Sequence, residues 1–367
     1  MRPPPGRNLD LVSRLHIDGA LFLGIIMLLV AGLFIVFSAG GENWDLLQRH
    51  GIRIIISLFI LLLIAQIPPH SLRRWSPYLF LFSVASLVLV LLVGYVGRGA
   101  QSWLELGILR FQPSEVMKLA IPMVIVWILT RRPLPPKLMD LIFAGIATLL
   151  PSFLVVMQPD LGTAVLLIFS GLSAIFLAGV RWRHLLAMIA FVAAMAPYLW
   201  YQLHDHQRTR IVTMFNPWDD PMGSGYHIIQ SQIAVGSAGI AGKGWLNGTQ
   251  SQLEFIPERS TDFIFAVYAE EFGLIGAIVL IVLYLFVIGR ALVLAYKAED
   301  SYTRLLIGSL ALTFFFYIFV NTAMVTGVLP VVGIPLPLIS YGGTSMVTVM
   351  AAFGVIMSAS THKRLMR

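Results

Sequence analysis

No cysteine occurs anywhere in the chain, which excludes disulfide bonds and thiolate metal centres at the outset. Charge is scarce as well: 12% of the residues are Asp, Glu, Lys or Arg, while 58% are hydrophobic. A soluble domain carries about twice that charged share, so folding in water around one core is excluded. A nucleotide-cradling loop is also missing. Gly242-Lys243-Gly244 imitates one, but Ser237 stands at its first glycine position and Gly244 where a metal-holding Ser or Thr belongs. The net charge of +7 is no argument for nucleic acid, because charge in a membrane protein is read by side before it is read by sum.

Long apolar runs are present instead, at about 17–38, 52–67, 76–96, 113–130, 139–157, 162–180, 184–203, 263–289, 303–327 and 341–361. A helix needs roughly 20 such residues to cross the hydrocarbon, and open strands there would leave backbone groups unpaired. The pattern predicts an all-α polytopic integral membrane protein of about ten helices, one membrane domain over 1–367. Arg2, Arg7 and Arg14 precede the first run as in a signal peptide. That run is too long for a cleaved segment and lacks a small-residue cleavage site, so it is read as a retained helix.

Basic residues set the sidedness. A cytoplasmic N-terminus puts 16 of the 25 Lys and Arg on inner segments, including Arg131-Arg132 and Arg181-Trp182-Arg183. The bias counts most over short loops, so both termini are expected inside. Arg49, Arg53, Arg98, Arg110, Lys118, Arg208, Arg210, Lys243 and Arg259 are left at or near the outer face, with most of the acids. The one long loop, about 204–262, is outside too and mixes apolar with polar residues. Loops of that length are usually functional, and short amphipathic helices along the membrane surface are expected in it.

The outer face therefore holds the candidates for chemistry. Sugar transfer between lipid-linked carriers would need a carboxylate to take a hydroxyl proton and cations to hold a departing diphosphate. Asp262, in Pro257-Glu258-Arg259-Ser260-Thr261-Asp262-Phe263, is either such a base or an N-cap of the eighth helix. Arg259 beside it either binds phosphate or pairs with Glu258. Glu115 and Lys118 share one face at the start of the fourth helix, as a structural ion pair or a polar cavity wall. Asp160 sits in the turn Gln158-Pro159-Asp160, where capping is the plainer reading. Glu270 follows Asp262 on the same helical face and could extend an acidic cavity or hold a cation. Trp103 reads as an interface anchor, with sugar stacking as the alternative, and His204-Asp205-His206 reads as a wet helix end.

Three segments are recognisable. Gly225-Tyr226-His227-Ile228-Ile229-Gln230-Ser231, Gly248-Thr249-Gln250-Ser251-Gln252-Leu253-Glu254-Phe255-Ile256-Pro257-Glu258 with Thr261-Asp262-Phe263-Ile264, and Pro335-Leu336-Pro337-Leu338-Ile339-Ser340-Tyr341-Gly342-Gly343 resemble the SEDS (shape, elongation, division and sporulation) family, on its elongation branch. The resemblance implies a peptidoglycan glycosyltransferase of the bacterial inner membrane that polymerises lipid II, with its active site facing the periplasm. It implies dependence on a divalent cation, Mg²⁺ or Mn²⁺, with Asp262 and Glu270 as candidate ligands. It further implies a class B penicillin-binding protein and other elongation-complex membrane proteins as partners. The family's essential aspartate falls on Asp262, its helix-four pair on Glu115 and Lys118, its turn aspartate on Asp160 and its tryptophan on Trp103. Arg210, Arg259 and Lys118 are candidates to hold the diphosphate. A lipid flippase or a non-catalytic scaffold is the alternative. A flippase would need polar groups continuing to the inner face, whereas helices one, six and ten carry almost no ionisable residues in their middles.

Overall fold

A computed structural model describes residues 15–362, except 98–99, 107–108, 185, 187–189, 191–193, 195–196, 198–199, 202–204, 224 and 254. Most of the seventh apolar run lies outside the described residues, as do Arg98, Glu254, His204 and the basic residues at both chain ends. The other runs are helices: α1 (Gly19–Ala39), α2 (Trp44–Ala65), α3 (Pro69–Val93), α4 (Pro113–Leu129), α5 (Leu138–Met157) and α6 (Leu161–Leu177). The long loop contributes the short helices α7 (Asp205–Phe215), α8 (Tyr226–Ser237) and α9 (Thr249–Gln252), followed by α10 (Ile264–Lys297), α11 (Ser301–Val325) and α12 (Thr344–Thr361). Among the described residues seven helices are long and apolar enough to cross a membrane, and α4 and α6, at 17 residues each, pack among them. The chain is a multi-pass helical membrane protein.

Local chemistry marks the ends. Asp18 and Asn43 accept from Leu21 N at 2.9 Å and Leu46 N at 3.1 Å, capping α1 and α2, and Pro69 and Pro113 open α3 and α4. The second helix begins at Trp44, eight residues before its apolar run, taking in Asp45 and Arg49. Hydropathy reports where lipid begins, whereas a capped helix extends into the polar interface. Inside the bundle, buried hydroxyls of Ser76, Ser83, Thr148 and Ser152 bond the carbonyl one turn back at 2.7–2.9 Å, so they carry no unmet polarity.

The most buried helices are α4, α11 and α12, with Met117, Ile121, Leu306, Ile307, Met350 and Met357 in one continuous core. Ile55 and Phe59 on α2, Leu81 and Leu92 on α3, and Ile146 and Phe153 on α5 face outward, where lipid replaces water as solvent. The pairs α2 with α12, α3 with α4, α10 with α11 and α5 with α6 pack most closely. At the end bearing the α10 and α12 C-termini, Arg290 forks onto Asp18 at 2.7 and 2.9 Å. Burial pushes the Asp18 carboxyl up, but Arg290 and the Leu21 amide hold it below its ordinary value.

Between α3 and α4 stand three short antiparallel strands, β1 (Tyr95–Gly97), β2 (Ala100–Leu106) and β3 (Leu109–Phe111), in the order β1-β2-β3. The sequence reading ran a helix to 96 and foresaw no strand. The strands lie at the bundle end, where water is at hand and the prohibition on open sheet edges in hydrocarbon does not apply.

Candidate active site

At the end opposite Arg290, the long loop folds over the bundle and encloses a cavity of about 490 Å³. α7 supplies Arg210, α8 supplies His227, the turn before α10 supplies Glu258 and Asp262, and the α11–α12 connection supplies Val331 and Gly333. Arg210 Nη1 donates to the Val331 carbonyl at 3.4 Å. His227 stacks on Phe263 with ring centres 5.7 Å apart. Burial holds the His227 imidazole below its ordinary pKa. The Glu258 carboxylate opposes this and the Arg210 cation adds to it.

Asp262 is half-buried at the cavity wall. It is not the cap of α10: that position is Phe263, whose side chain makes no cap hydrogen bond. Its carboxylate lines the cavity, 3.5 Å from where a side chain on Gly333 would begin. Its own carbonyl accepts from Asn321 Nδ2 at 2.8 Å, and the same amide donates to Ile334 O at 2.6 Å. Asn321 is wholly buried on α11, and nothing in the sequence distinguished it from other polar residues in apolar runs.

The turn that presents Asp262 is braced by the last recognisable motif. Thr261 Oγ1 donates to Glu258 Oε2 at 2.7 Å, and Thr261 N and Phe263 N both reach Glu258 O. Ser340 Oγ donates to Thr261 O at 2.6 Å, while Tyr341 N donates to Ser260 O at 2.9 Å. Segments about 80 residues apart in the chain (340 − 261 = 79) are therefore one structural unit.

Glu115 and Lys118 stand elsewhere. Lys118 Nζ meets Glu115 Oε1 at 2.7 Å, with both side chains less than a tenth exposed, and lies 5.1 Å from the Tyr317 ring centre. Glu115 also faces a second cavity of about 300 Å³ with Arg53, Gln112 and Thr344. Arg53 in turn lies 4.3 Å over Tyr341, so the second cavity adjoins the segment that braces Asp262. Asp160 caps α6, accepting from Thr163 N at 3.0 Å. Trp103 is half-buried on β2 opposite Tyr95, and does not line the Asp262 cavity. Arg259 turns away from that cavity, its guanidinium donating to the Ser251 carbonyl.

Glu270 is fully buried and its oxygens are taken up by a clamp. Lys243 Nζ, Thr249 Oγ1 and the amide of Gln250 reach Oε1 at 2.7, 3.0 and 2.9 Å, and the Ser251 amide reaches Oε2 at 3.4 Å. The residue fastens α9 to α10 and does not line the cavity with Asp262. Just beyond it, α10 is broken at Gly273, whose φ of 66° and ψ of −162° are not helical. The carbonyls freed there accept from Lys243 N and Gly244 N at 3.0 and 2.9 Å. The freed amides of Leu274 and Ile275 donate to Gly239 O and Ile240 O, each at 3.1 Å. The false nucleotide loop thus serves as the partner of a broken helix, which lipid could not supply.

Among the described residues no three His, Cys, Asp or Glu are gathered to hold a metal ion. Two carboxylates, Asp262 and Glu258, do line one cavity beside Arg210. That set suits Mg²⁺, which is typically held by one or two carboxylates plus substrate phosphates.

Residues 12–365 match the cell cycle protein family that groups FtsW, RodA and SpoVE. The chain belongs to this family. It is 46% identical over 355 residues to the peptidoglycan glycosyltransferase MrdB of Escherichia coli K12, covering 96% of each chain. To a probable peptidoglycan glycosyltransferase FtsW of Geobacter metallireducens it is 33% identical over 364 residues, 97% of this chain and 95% of that one. Within the family it is therefore RodA-like. A solved chain from a peptidoglycan synthase complex that coordinates polymerization and crosslinking superposes with a TM-score of 0.81 at 32% identity, over 93% of this chain and 96% of that one. RodA of Thermus thermophilus gives 0.73 at 27% identity, over 95% and 98%.

Proposed function

We propose that this chain is a peptidoglycan glycosyltransferase that joins lipid II, the undecaprenyl-diphosphate-linked disaccharide peptide, into glycan strands during cell elongation. The observation that carries the reading is one cavity lined together by Asp262, Arg210 and Glu258. The 46% identity to MrdB supports the activity. In this reading Asp262 takes the proton of the acceptor 4-hydroxyl. The oxygen attacks the donor's anomeric carbon from the face opposite the diphosphate, giving a β-1,4 link with inversion. The electron pair of the broken bond goes to the departing undecaprenyl diphosphate, whose charge Arg210 offsets. A Mg²⁺ or Mn²⁺ ion held by Asp262 and Glu258 would supply further neutralisation of that diphosphate.

The cavity end is assigned to the periplasmic face of the inner membrane. Supporting this, Arg73, Arg74, Arg131, Arg132, Lys297 and Arg304 collect at the opposite helix ends, as cytoplasmic segments require. A class B penicillin-binding protein is the proposed partner, alongside other elongation-complex membrane proteins, since a related chain works in a synthase that also crosslinks.

The test is strand formation from fluorescent lipid II by the purified protein with its penicillin-binding partner. Wild type should polymerise and lose that activity on chelation. Asp262→Ala and Asp262→Asn should fall by roughly 100-fold or more, the scale of a lost general base. Equal polymer from wild type and variants would return Asp262 to a structural role.

A further inference from the structure

A second large cavity, of about 600 Å³, opens at the end of the bundle away from Asp262, where α3, α10, α11 and α12 terminate. Its lining carries both signs of charge. α3 contributes His70 and Arg73, the α10 terminus contributes Lys297, and the turn into α11 contributes Glu299 and Asp300. Arg73 is held in place: Nη2 donates to Thr130 O at 3.1 Å, and its guanidinium lies 5.5 Å from the Tyr302 ring centre. That ring is fixed in turn, its hydroxyl 3.1 Å from Ser76 Oγ. Arg73 is thus presented by a rigid wall, while Lys297 reaches the cavity as an exposed side chain at the end of α10.

A plain anion entering here meets Glu299 and Asp300, and a plain cation meets Arg73 and Lys297. A ligand carrying both a phosphate and an ammonium group satisfies the two sets together. The place of the cavity narrows the class further. It lies where apolar spans end, two residues from the exposed Trp75, at the depth of bilayer headgroups, and Leu294 and Ala359 form an apolar part of its wall. Basic pockets between helix ends at that depth are suited to phospholipid headgroups.

We propose that this cavity binds a phosphodiester bearing a primary ammonium, the headgroup of phosphatidylethanolamine. Arg73 and Lys297 take the phosphate, and Glu299 and Asp300 accept hydrogen bonds from the amine. The site is independent of the transfer reaction proposed for the other end of the bundle. It disfavours phosphatidylcholine, whose quaternary ammonium has no N–H to donate, and phosphatidylglycerol, which leaves both carboxylates facing an uncharged polyol.

Native mass spectrometry of the purified full chain tests this, with phosphatidylethanolamine, phosphatidylglycerol and phosphatidylcholine of identical acyl chains added in turn. Phosphatidylethanolamine should bind about tenfold more tightly than either competitor, the scale of one charge-assisted hydrogen-bond set. Glu299→Gln with Asp300→Asn should erase that preference and leave phosphatidylglycerol binding intact. Arg73→Gln should weaken binding of all three lipids, since each carries the phosphate, and Lys297→Gln, on an exposed side chain, gives the same reading should Arg73→Gln not fold. Equal binding of all three lipids, or a preference untouched by either set of variants, overturns the assignment. Displacement of the lipid by an equal concentration of soluble glycerophosphoethanolamine would make the site one for the free phosphodiester and overturn the lipid reading. No displacement supports it.

Discussion

The side chain of Asn321 and the main chain of Asp262, 59 residues apart in sequence, are joined by a 2.8 Å hydrogen bond. The same amide holds Ile334 O, so one buried group fixes both the Asp262 turn and the Gly333 segment across from it. Asn321→Leu removes both bonds and leaves two carbonyls with one partner fewer, at about 1–3 kcal/mol for each group left unsatisfied. Strand formation from lipid II should drop at least as much as for a partial loss of Asp262, while the protein still purifies. Wild-type activity in Asn321→Leu would show that the turn holds without it.

The buried pair of Glu115 and Lys118 predicts unequal effects of single and double changes. Removing one partner strands a charge, at roughly 3–5 kcal/mol. Glu115→Gln and Lys118→Met should each lower thermal stability sharply, and the double variant should recover most of it. Activity should stay low in the double variant, because Glu115 also faces the cavity that holds Arg53. Recovery of activity together with stability would mark the pair as purely structural. The swap Glu115→Lys with Lys118→Glu is the companion test, since it would set a carboxylate against the Tyr317 ring.

The break in α10 is a glycine requirement of the backbone. A Cβ on Gly273 would overlap Gly242 N, and a Cβ on Gly242 would overlap the Glu271 carbonyl. Gly273→Ala should cost about 1–3 kcal/mol for the backbone conformation alone, with the overlap added. Gly289→Ala, on the same helix with open space around it, should be neutral or gain up to about 1 kcal/mol. Melting temperatures of the two variants in one detergent check the contrast, and equal values would mean that the break is not needed.

His227 makes the cavity sensitive to acid. Its folded pKa is below its ordinary value of 6.5, so the unfolded chain binds the proton more readily between the two values. Its contribution to stability is complete above pH 6.5 and is lost as pH falls through the folded value. Between pH 8 and 5, wild type should lose more thermal stability than His227→Gln. Arg210→Gln should soften that loss by removing a neighbouring cation, and Glu258→Gln should deepen it. Identical pH profiles for wild type and His227→Gln would rule the effect out.

The membrane class and its helices were legible in the sequence because an apolar run in lipid has no alternative to a helix. Boundaries were less legible. Hydropathy missed the first turns of α2, since Asp45 and Arg49 belong to a helix that continues past the hydrocarbon. The strands at 95–111 went unseen because a surface hairpin needs no long apolar run.

The candidate site divided in the same way. Sequence alone determined that Asp262, Glu115, Lys118, Arg210 and Arg259 collect at one end, because spans of fixed length and alternating direction leave them nowhere else. Only the tertiary structure decided that Asp262 shares a cavity with Arg210, His227 and Glu258. It alone turned Arg259 toward Ser251 and took Glu270 into a clamp, while the capping that the sequence favoured for Asp160 is what the structure shows. Helical periodicity fixes which face a residue occupies, and a signature of charge fixes its depth. Which faces meet is set by close packing between helices distant in the chain, and that is where Asn321 reaches Asp262.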